Sequence, residues 1–384
     1  MDSIKHAIAG FTVTRNKSTA LFFSAVRKMA RLQRTAWGMA PHTLFTDMLR
    51  VPAARKSAAK VARKRPTISK APARNDPDFD PAKFSGTWKA RVYRTPATPG
   101  VWPVRLSYFV YVPARVRKGC PMLVMLHGCE QNARDFALGT RMHRLADREG
   151  LLLVYPQQSR RAQHNRCWHW YQPDSAHGYA EADAIAGIAA TAVADYHADP
   201  SRIYIAGLSA GADMAALTAL LHPGQFAGLG MHSGAALGAA HNAGQGLRVM
   251  RHGVATSAAE ALQPLVRDRS TFPGMPAIIV QGDADVVVDK RNGRQLFEQL
   301  AWANGIDIDD AASFATQDLA VDSARHHVRL DAPSRRGPIV SLCQVPGLGH
   351  AWSGGDGRVR FHARQGPNAS LLMWQFFKTL SRAA

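Results

Sequence analysis

The pentapeptide Gly207-Leu-Ser209-Ala-Gly211 carries the clearest chemistry in the chain. An apolar stretch at 202–206 precedes it and predicts a strand, and the run at 210–222 predicts a helix. Flanking glycines let the backbone turn sharply enough to expose a serine between two such elements. The Ser209 hydroxyl would then stand at a helix N-terminus, where the helix dipole favours developing negative charge. This context predicts a nucleophilic serine.

Such a serine needs two partners, because at its ordinary pKa it is a weak nucleophile. A base must take its proton, and a carboxylate must orient that base. Where a serine stands on such a turn, the acid and then the base follow it in the chain. Downstream of Ser209, Asp283, Asp285 and Asp289 share an acidic loop after an apolar segment and compete for the acidic role. His350 follows another predicted strand in a glycine-rich loop and is the expected base.

Attack on a carbonyl also creates an oxyanion, which needs hydrogen-bond donors. The backbone N–H after the nucleophile, that of Ala210, is the first expected donor. The predicted strand at 122–126 runs into His127-Gly-Cys129, so the Cys129 amide is the second expected donor. His127 lies upstream of the serine, and we interpret it as a residue that shapes this loop.

The elements that must position these residues alternate from about residue 80 onward. We predict strands over 104–112, 122–126, 151–155, 202–206, 277–280 and 339–345. We predict helices over 133–149, 181–196, 210–222, 290–304 and 369–380, the last one capped by Asn368. This alternation predicts an α/β fold, with a mostly parallel central sheet flanked by helices. The catalytic domain is expected to span 79–384.

The positive charge of the chain is concentrated at its start. Residues 1–75 hold 16 of the 48 Lys and Arg residues but only two acidic ones, which gives +14 of the net +20. The pattern over 18–37 predicts a basic amphipathic helix, suited to a membrane-like surface, an anionic partner or its own domain. Few large apolar groups occur in 51–75, so a flexible linker is predicted there, able to touch nucleic-acid phosphates without reading sequence. We therefore expect a basic, partly helical and partly disordered extension: an amphipathic part at 1–50 and a linker at 51–78.

Several other classes of protein are disfavoured. No apolar run approaches the roughly 20 residues that a bilayer requires, so no transmembrane segment is predicted. An apolar stretch at 18–26 resembles the core of a signal peptide, but basic residues follow at once, which favours a cytoplasmic protein.

The four cysteines (Cys120, Cys129, Cys167 and Cys343) are expected to be free and buried. No Cys-x-x-Cys pair occurs to suggest zinc or redox chemistry, and acyl transfer by a serine requires no metal and no organic cofactor.

Five motifs in order make the chain resemble the polyhydroxybutyrate (PHB) depolymerase-type esterases of the α/β-hydrolase superfamily. They are Leu-His-Gly-Cys (126–129), Cys-Trp-His-Trp (167–170), the segment 199–214 around the serine, Gly-x-x-Asp-x-x-Val (282–288) and Gly-His-Ala-Trp-Ser-Gly-Gly (349–355). The resemblance spans about residues 100–380. It implies that Asp285 is the acid and His350 the base of a catalytic triad. It also implies that Cys129 and Cys167 lie near one another, with a bridge between them in secreted relatives.

The resemblance further implies a function. We expect a serine esterase that cleaves polyhydroxyalkanoate (3-hydroxybutyrate) polyester or its oligomers. The alternatives are a feruloyl or acetylxylan esterase or a peptidase on soluble substrates, and, from another class, a granule-binding protein with an inactive hydrolase domain. Trp168, Trp170, Tyr171 and Trp352 either line an apolar acyl site or pack in the core. His169 stands where relatives commonly have Asn, which leaves the role of that position open.

The end of the sequence bears on the expected location. The chain stops about one helix after His350, which leaves no room for a C-terminal polymer-binding module. We therefore expect a cytoplasmic enzyme acting on amorphous storage polyester, held at the granule surface by residues 1–75. An extracellular location, as in many relatives, is the alternative.

Overall fold

A single mixed sheet organises the protein. The computed structural model describes residues 84–96, 103–172, 177–310, 314–334 and 337–382. The strands are β1 (Thr87–Arg94), β2 (Arg105–Val112), β3 (Met122–Leu126), β4 (Leu152–Gln157), β5 (Ile203–Leu208), β6 (Gly228–His232), β7 (Ala277–Gly282), β8 (Ala315–Leu319), β9 (His327–Ser334) and β10 (Gly337–Val345). They form a ten-stranded sheet in the order β1-β2-β4-β3-β5-β6-β7-β10-β9-β8.

Helices cover both faces of this sheet. They are α1 (Ala133–Thr140), α2 (Met142–Glu149), α3 (Gly178–Tyr196), α4 (Ala210–Leu221), α5 (Ala243–His252), α6 (Ala258–Leu262), α7 (Arg291–Ala303) and α8 (Ala369–Phe377). The asparagine before α8 caps that helix as expected, because the Asn368 side chain accepts a hydrogen bond from the Leu371 N–H.

The six central strands, from β4 through β10 in the sheet order, run parallel to one another. The outer strands pair antiparallel at each end. All six residues of β5 are buried, as expected for a parallel strand covered on both faces. Because the carboxyl ends of parallel strands share one edge of a sheet, the loops after β3, β5, β7 and β10 meet there.

Two apolar clusters hold the layers together. On one face, side chains such as Ile205 of β5 pack with α3, α4 and α7. On the other, alternate residues such as Tyr204 and Ala206 pack with α1, α2 and α8. Successive side chains of a strand point to opposite faces of the sheet, so each central strand contributes to both clusters.

The predicted α/β class is confirmed, and each of the six predicted strands has a counterpart within a few residues. Sequence analysis missed β1, β6, β8 and β9. The glycines of β6 weaken its apolar pattern, but α8 packs closely against them. A side chain at Gly230 would come within 2.9 Å of Met373 Sδ and 3.0 Å of Ala206 Cβ, so glycine lets α8 pack closely on this strand.

The structure divides one predicted helix into two separate helices, α1 and α2. The pattern at 133–149 breaks at Arg141, where a φ of 54° lies in the left-handed region and ends α1. Two further helices, α5 and α6, were not predicted.

The expectations for the N-terminal extension at 1–50 and the linker at 51–78 lie outside the described residues, as does the start of the catalytic domain at 79. Among the residues that the structure describes, no helix has the length and apolar character needed to cross a membrane.

Candidate active site

Ser209 occupies a tight turn between β5 and α4. Its φ of 58° and ψ of −129° are unusual for a residue other than glycine, so the surrounding structure must hold the turn in place. The Ser209 N–H donates to the carbonyl oxygen of His232 on β6, at 2.8 Å. The side chain stands at the start of α4, as the pentapeptide predicts.

The two glycines of the pentapeptide are required by close backbone contacts. A side chain at Gly207 would collide with the backbone of Gly211 across the turn. A side chain at Gly211 would collide with the carbonyl groups of Leu126 and His127 at the end of β3. The turn is therefore packed directly against the loop after β3.

That loop carries the second expected oxyanion donor. A side chain at Gly128 would lie 3.4 Å from Ser209 Cβ, so the Gly128 backbone is adjacent to the serine. The amides of Cys129 and Ala210 thus flank the same turn, and no hydrogen bond occupies either of them within the described residues. Two such amides can bind one oxyanion.

His127 shapes this loop, as expected. Its buried ring donates from Nδ1 to the Gly128 carbonyl oxygen at 2.9 Å and accepts at Nε2 from the Gln158 N–H at 3.1 Å. Burial lowers the pKa of His127 to about 4, so the ring is neutral at pH 7. A neutral ring with both nitrogens engaged supports the loop instead of acting as a base.

The histidine loop after β10 brings a base beside an acid. His350 Nδ1 lies 2.7 Å from Asp285 Oδ2, and both side chains are buried. Asp285 Oδ1 also accepts from the N–H groups of Val287 and Val288, each at 2.9 Å. Because these donors fix the carboxylate, it can orient the imidazole so that Nε2 is the free basic nitrogen.

The other two candidate acids make different contacts. Asp283 is exposed and accepts from the Gly347 N–H at 2.6 Å, which ties its turn to the histidine loop. Asp289 accepts from the N–H of Arg291 and pairs with the Arg291 guanidinium. Of the three candidate acids, Asp285 is the one that is hydrogen-bonded to His350 among the described residues.

Ser209 and His350 open onto one pocket. Its lining residues are Gly128, Cys129, Glu130, Gln131, Leu208, Ser209, Val287, His350 and Phe361. No hydrogen bond joins Ser209 Oγ to His350 among the described residues, and such bonds often form only once substrate is bound. Sequence analysis missed Glu130, Val287 and Phe361, because their places in the pocket depend on contacts between distant segments.

The four aromatic residues proposed for an acyl site lie elsewhere. Trp168 and Trp352 are fully buried, and Trp170 and Tyr171 nearly so, and the pocket lining includes none of them. The Trp168 indole N–H donates to the His127 carbonyl oxygen at 2.9 Å. Of the two alternatives, this geometry favours the core role.

Two of the four cysteines are not free, in contrast to the expectation. Cys129 and Cys167 form a disulfide, so the expectation of free thiols is wrong for them, and the proximity implied by the family resemblance is confirmed. The bridge ties the oxyanion loop to the segment before α3. Cys120 and Cys343 are free and buried, as expected.

The histidine at the atypical position belongs to a buried polar cluster. His169 Nδ1 lies 2.7 Å from Glu181 Oε1, and the His169 N–H donates to Glu181 Oε2 at 2.8 Å. Gln158 Nε2 donates to the same carboxylate and to the Cys167 carbonyl oxygen. These contacts hold the segment that carries the disulfide. No group of three potential metal ligands occurs among the described residues.

Together, the parallel sheet, the turn at Ser209 and the His350 loop define an α/β-hydrolase. An acetyl xylan esterase from Aspergillus awamori has the same fold, with a TM-score of 0.56 and 18% identity, over 68% of this chain and 94% of that chain.

Sequence similarity gives the family. Residues 106–319 match the model of the family described as esterase PHB depolymerase, and the chain belongs to that family. Poly(3-hydroxyalkanoate) depolymerase C of Paucimonas lemoignei is 31% identical over 257 residues, 65% of this chain and 59% of that relative. Feruloyl esterase B of Neurospora crassa is 32% identical over 136 residues, 35% of this chain and 46% of that relative. The chain therefore spans only about half the length of these curated relatives.

Proposed function

We propose that the protein is a serine carboxylic-ester hydrolase in which Ser209 is the nucleophile, His350 the general base and Asp285 the acid that orients it. The observation that carries the proposal is the 2.7 Å contact between His350 Nδ1 and Asp285 Oδ2, with His350 in the same pocket as Ser209. The roles follow the order serine, acid, histidine along the chain.

In the first step, Ser209 Oγ attacks the ester carbonyl carbon while His350 Nε2 takes the hydroxyl proton. Asp285 stabilises the imidazolium that forms. The carbonyl oxygen becomes an oxyanion and accepts hydrogen bonds from the amides of Cys129 and Ala210. His350 then returns the proton to the alcohol oxygen as the C–O bond breaks, which leaves an acyl-serine.

In the second step, His350 Nε2 takes a proton from water, and the resulting hydroxide attacks the acyl-serine. The second tetrahedral intermediate uses the same two amides. When it collapses, the free acid leaves and Ser209 regains its proton from His350. The chemistry uses only side chains and amides of this chain.

The direct test is Ser209→Ala, which removes the attacking oxygen. We expect kcat on a p-nitrophenyl ester to fall by at least about 10⁴-fold, since no other group replaces it. Ser270→Ala, in an exposed loop, is the matched control and should retain wild-type activity. A fluorophosphonate probe should label the wild type and not the Ser209 variant. Wild-type activity in Ser209→Ala would refute the assignment.

For the substrate, we propose 3-hydroxybutyrate polyester or its oligomers. The name of the Paucimonas lemoignei relative and the apolar side chains of Leu208, Val287 and Phe361 in the pocket support this choice. Release of 3-hydroxybutyrate from amorphous polymer, with the Ser209 variant as control, tests it. Failure to release any monomer or oligomer would refute it.

The feruloyl and acetylxylan esterases among the relatives support a second candidate, an esterase acting on soluble substrates. A panel of hydroxybutyrate oligomers, methyl ferulate, acetylated xylan and peptide amides separates the candidates by kcat/KM. The remaining alternative, a granule-binding protein with an inactive hydrolase domain, requires that the fluorophosphonate probe leave the wild type unlabelled.

We propose that residues 1–75 hold the enzyme at an anionic surface, with the polyester granule as the first candidate. The support is their net charge of +14. Deleting residues 1–75 should abolish sedimentation with granules yet spare hydrolysis of a p-nitrophenyl ester. Salt-sensitive, sequence-indifferent retardation of DNA would instead support nucleic-acid contact.

The redox state of Cys129 and Cys167 depends on where the enzyme is located. A cytoplasmic, granule-associated enzyme should have them as free thiols, and an extracellular enzyme should have them as a disulfide. Disulfides persist in oxidising compartments and are rare in the cytosol, so the bridge in the structure supports the extracellular alternative. Trapping of free thiols in intact cells, followed by mass spectrometry of the two cysteines, tests this.

A further inference from the structure

Two segments distant in sequence meet at one side of the pocket. Glu130 and Gln131 follow the oxyanion loop, and Arg360 and Phe361 follow the histidine loop. We call these four residues the outer wall. Three of them line the pocket, and the triad mechanism uses none of them.

Side chains tie the two segments together. The Arg360 guanidinium pairs with the Glu130 carboxylate at 2.7 Å and lies over the Phe361 ring, 4.9 Å from its centroid. The Glu130 side chain is 20% exposed and that of Arg360 is 41% exposed, so solvent screens this pair in part. The pair therefore limits how far Phe361 can swing away from the pocket.

Hydrogen bonds to backbone groups fix the same segments. The Arg360 carbonyl oxygen accepts from Gln131 Nε2 at 3.3 Å and from His362 Nδ1 at 2.8 Å. Gln131 Oε1 in turn accepts from the Gly128 N–H at 2.9 Å, in the oxyanion loop. The Phe361 carbonyl oxygen accepts from the N–H of Trp352, two residues after His350.

Both pocket-lining segments contain an unusual backbone conformation. Glu130 has a φ of 63° and Phe361 a φ of 60°, in the left-handed region. Bulky residues rarely adopt this conformation, and such strain persists only where surrounding contacts impose it. Here the contacts direct Phe361 towards the pocket.

The proton path decides which part of the substrate Phe361 meets. His350 must return its proton to the alcohol oxygen, so the alcohol group has to lie on the His350 side of the scissile bond. The Phe361 ring stands edge-on to the His350 ring, with 6.5 Å between centroids. An alcohol group within reach of His350 therefore lies next to Phe361.

We propose that the Phe361 side chain selects the alcohol group of the ester. Glu130, Gln131 and Arg360 hold the Phe361 side chain in position. The proposal rests on the esterase function proposed above and concerns one side of its substrate. It assigns the outer wall a part in substrate choice, separate from bond cleavage.

The test uses two series of esters: acetates of alcohols of increasing size, and p-nitrophenyl esters of acids of increasing length. Phe361→Ala removes the ring and should raise the kcat/KM ratio of large to small alcohols by about tenfold, since a pocket contact of this size sets discrimination of that order. The ratios in the acid series should change by less than twofold. A change confined to the acid series, or in neither series, would overturn the proposal.

The positioning residues are tested by selectivity. Glu130→Gln and Arg360→Gln should each shift the alcohol-series ratio in the same direction as Phe361→Ala, by about threefold, and the double variant should add nothing further, because both changes break one pair. Additive effects, or lower kcat with unchanged ratios, would contradict a positioning role.

Two controls complete the experiment. Phe109→Ala is the matched variant, because Phe109 also lies under an arginine, Arg134, at 5.1 Å, but outside the pocket. It should leave both sets of ratios unchanged. Phe361→Leu keeps an apolar side chain and guards against misfolding; it should give an intermediate ratio. A wild type that cleaves no ester would refute the proposed function, whereas an active wild type with unchanged ratios in the variants would refute only this inference.

Discussion

The two sides of the pocket are held by different kinds of contact. On the inner side, the turn at Ser209 is fixed by backbone groups of buried strands, and glycines at 207 and 211 allow their close approach. On the outer side, the Phe361 backbone accepts one hydrogen bond from the Trp352 N–H, and side chains make the other contacts: the Arg360–Glu130 ion pair and the Gln131 hydrogen bond to the Arg360 carbonyl oxygen. Backbone packing leaves little room for change, whereas surface side chains can vary. We therefore expect inner-side changes to alter rate or folding, and outer-wall changes to alter selectivity.

The largest effect that separates the two sides, after loss of Ser209, is expected from Asp285→Asn. The amide keeps the shape of the carboxylate but cannot stabilise the imidazolium and favours the wrong tautomer of His350, so kcat should fall by about 10³- to 10⁴-fold. Selectivity between alcohols should stay the same.

The matched control for Asp285→Asn is Asp289→Asn, which alters an acid of the same loop that pairs with Arg291. Its kcat should remain within a few-fold of wild type. Equal losses in both variants would contradict the assignment of the acid.

A second change on the inner side tests its rigidity. In Gly211→Ala, the added methyl group would collide with backbone carbonyl groups at the end of β3, which cannot move aside. We expect a loss of about 3 kcal/mol or more in the free energy of unfolding, measured by urea denaturation.

Gly224→Ala is the control for that substitution, because a side chain there meets no atom within 4 Å. Its stability should match wild type. A Gly211 variant as stable as this control would show that the turn is less constrained than its packing indicates.

The smallest effect per residue concerns four buried histidines. Burial lowers the pKa of His127, His143 and His362 to about 4 and that of His232 to about 3, while the unfolded chain binds protons near pH 6.5. Unfolding therefore takes up protons, and stability must fall as pH falls from 6.5 towards 4. Asp213 acts in the opposite sense, because burial raises the pKa of its carboxyl group.

The four histidines outweigh the one acid, so stability should fall by roughly 3 kcal/mol per pH unit near pH 5.5. Urea denaturation at several pH values measures the slope. His362→Asn should lower it by about a third, since one histidine of the outer side no longer takes up a proton. A stability that is constant or rises on acidification would contradict this account.

Much of the fold could be predicted from the sequence, because strong apolar periodicity specifies buried strands such as β3 and β5. The antiparallel edge strands were missed because they are half-exposed and carry polar residues. The strand β6 was missed because its glycines weaken the apolar pattern. These glycines allow close packing against α8, which lies more than 140 residues further along the chain. Apolar periodicity indicates only local structure, whereas the edge strands and β6 depend on contacts with distant segments of the chain.

By itself, the sequence singled out Ser209 and His350 as candidate nucleophile and base, because strand, turn and loop signals surround each of them. Residue reasoning left three acids open, and only the tertiary structure brings Asp285, and neither Asp283 nor Asp289, to His350. Residue types alone left Cys129 and Cys167 unpaired, and only the structure places Phe361 in the same pocket as Glu130. The physical reason is the same in each case: a side chain's chemistry is encoded at its own position, but its partner is chosen by the packing of segments far apart in the chain.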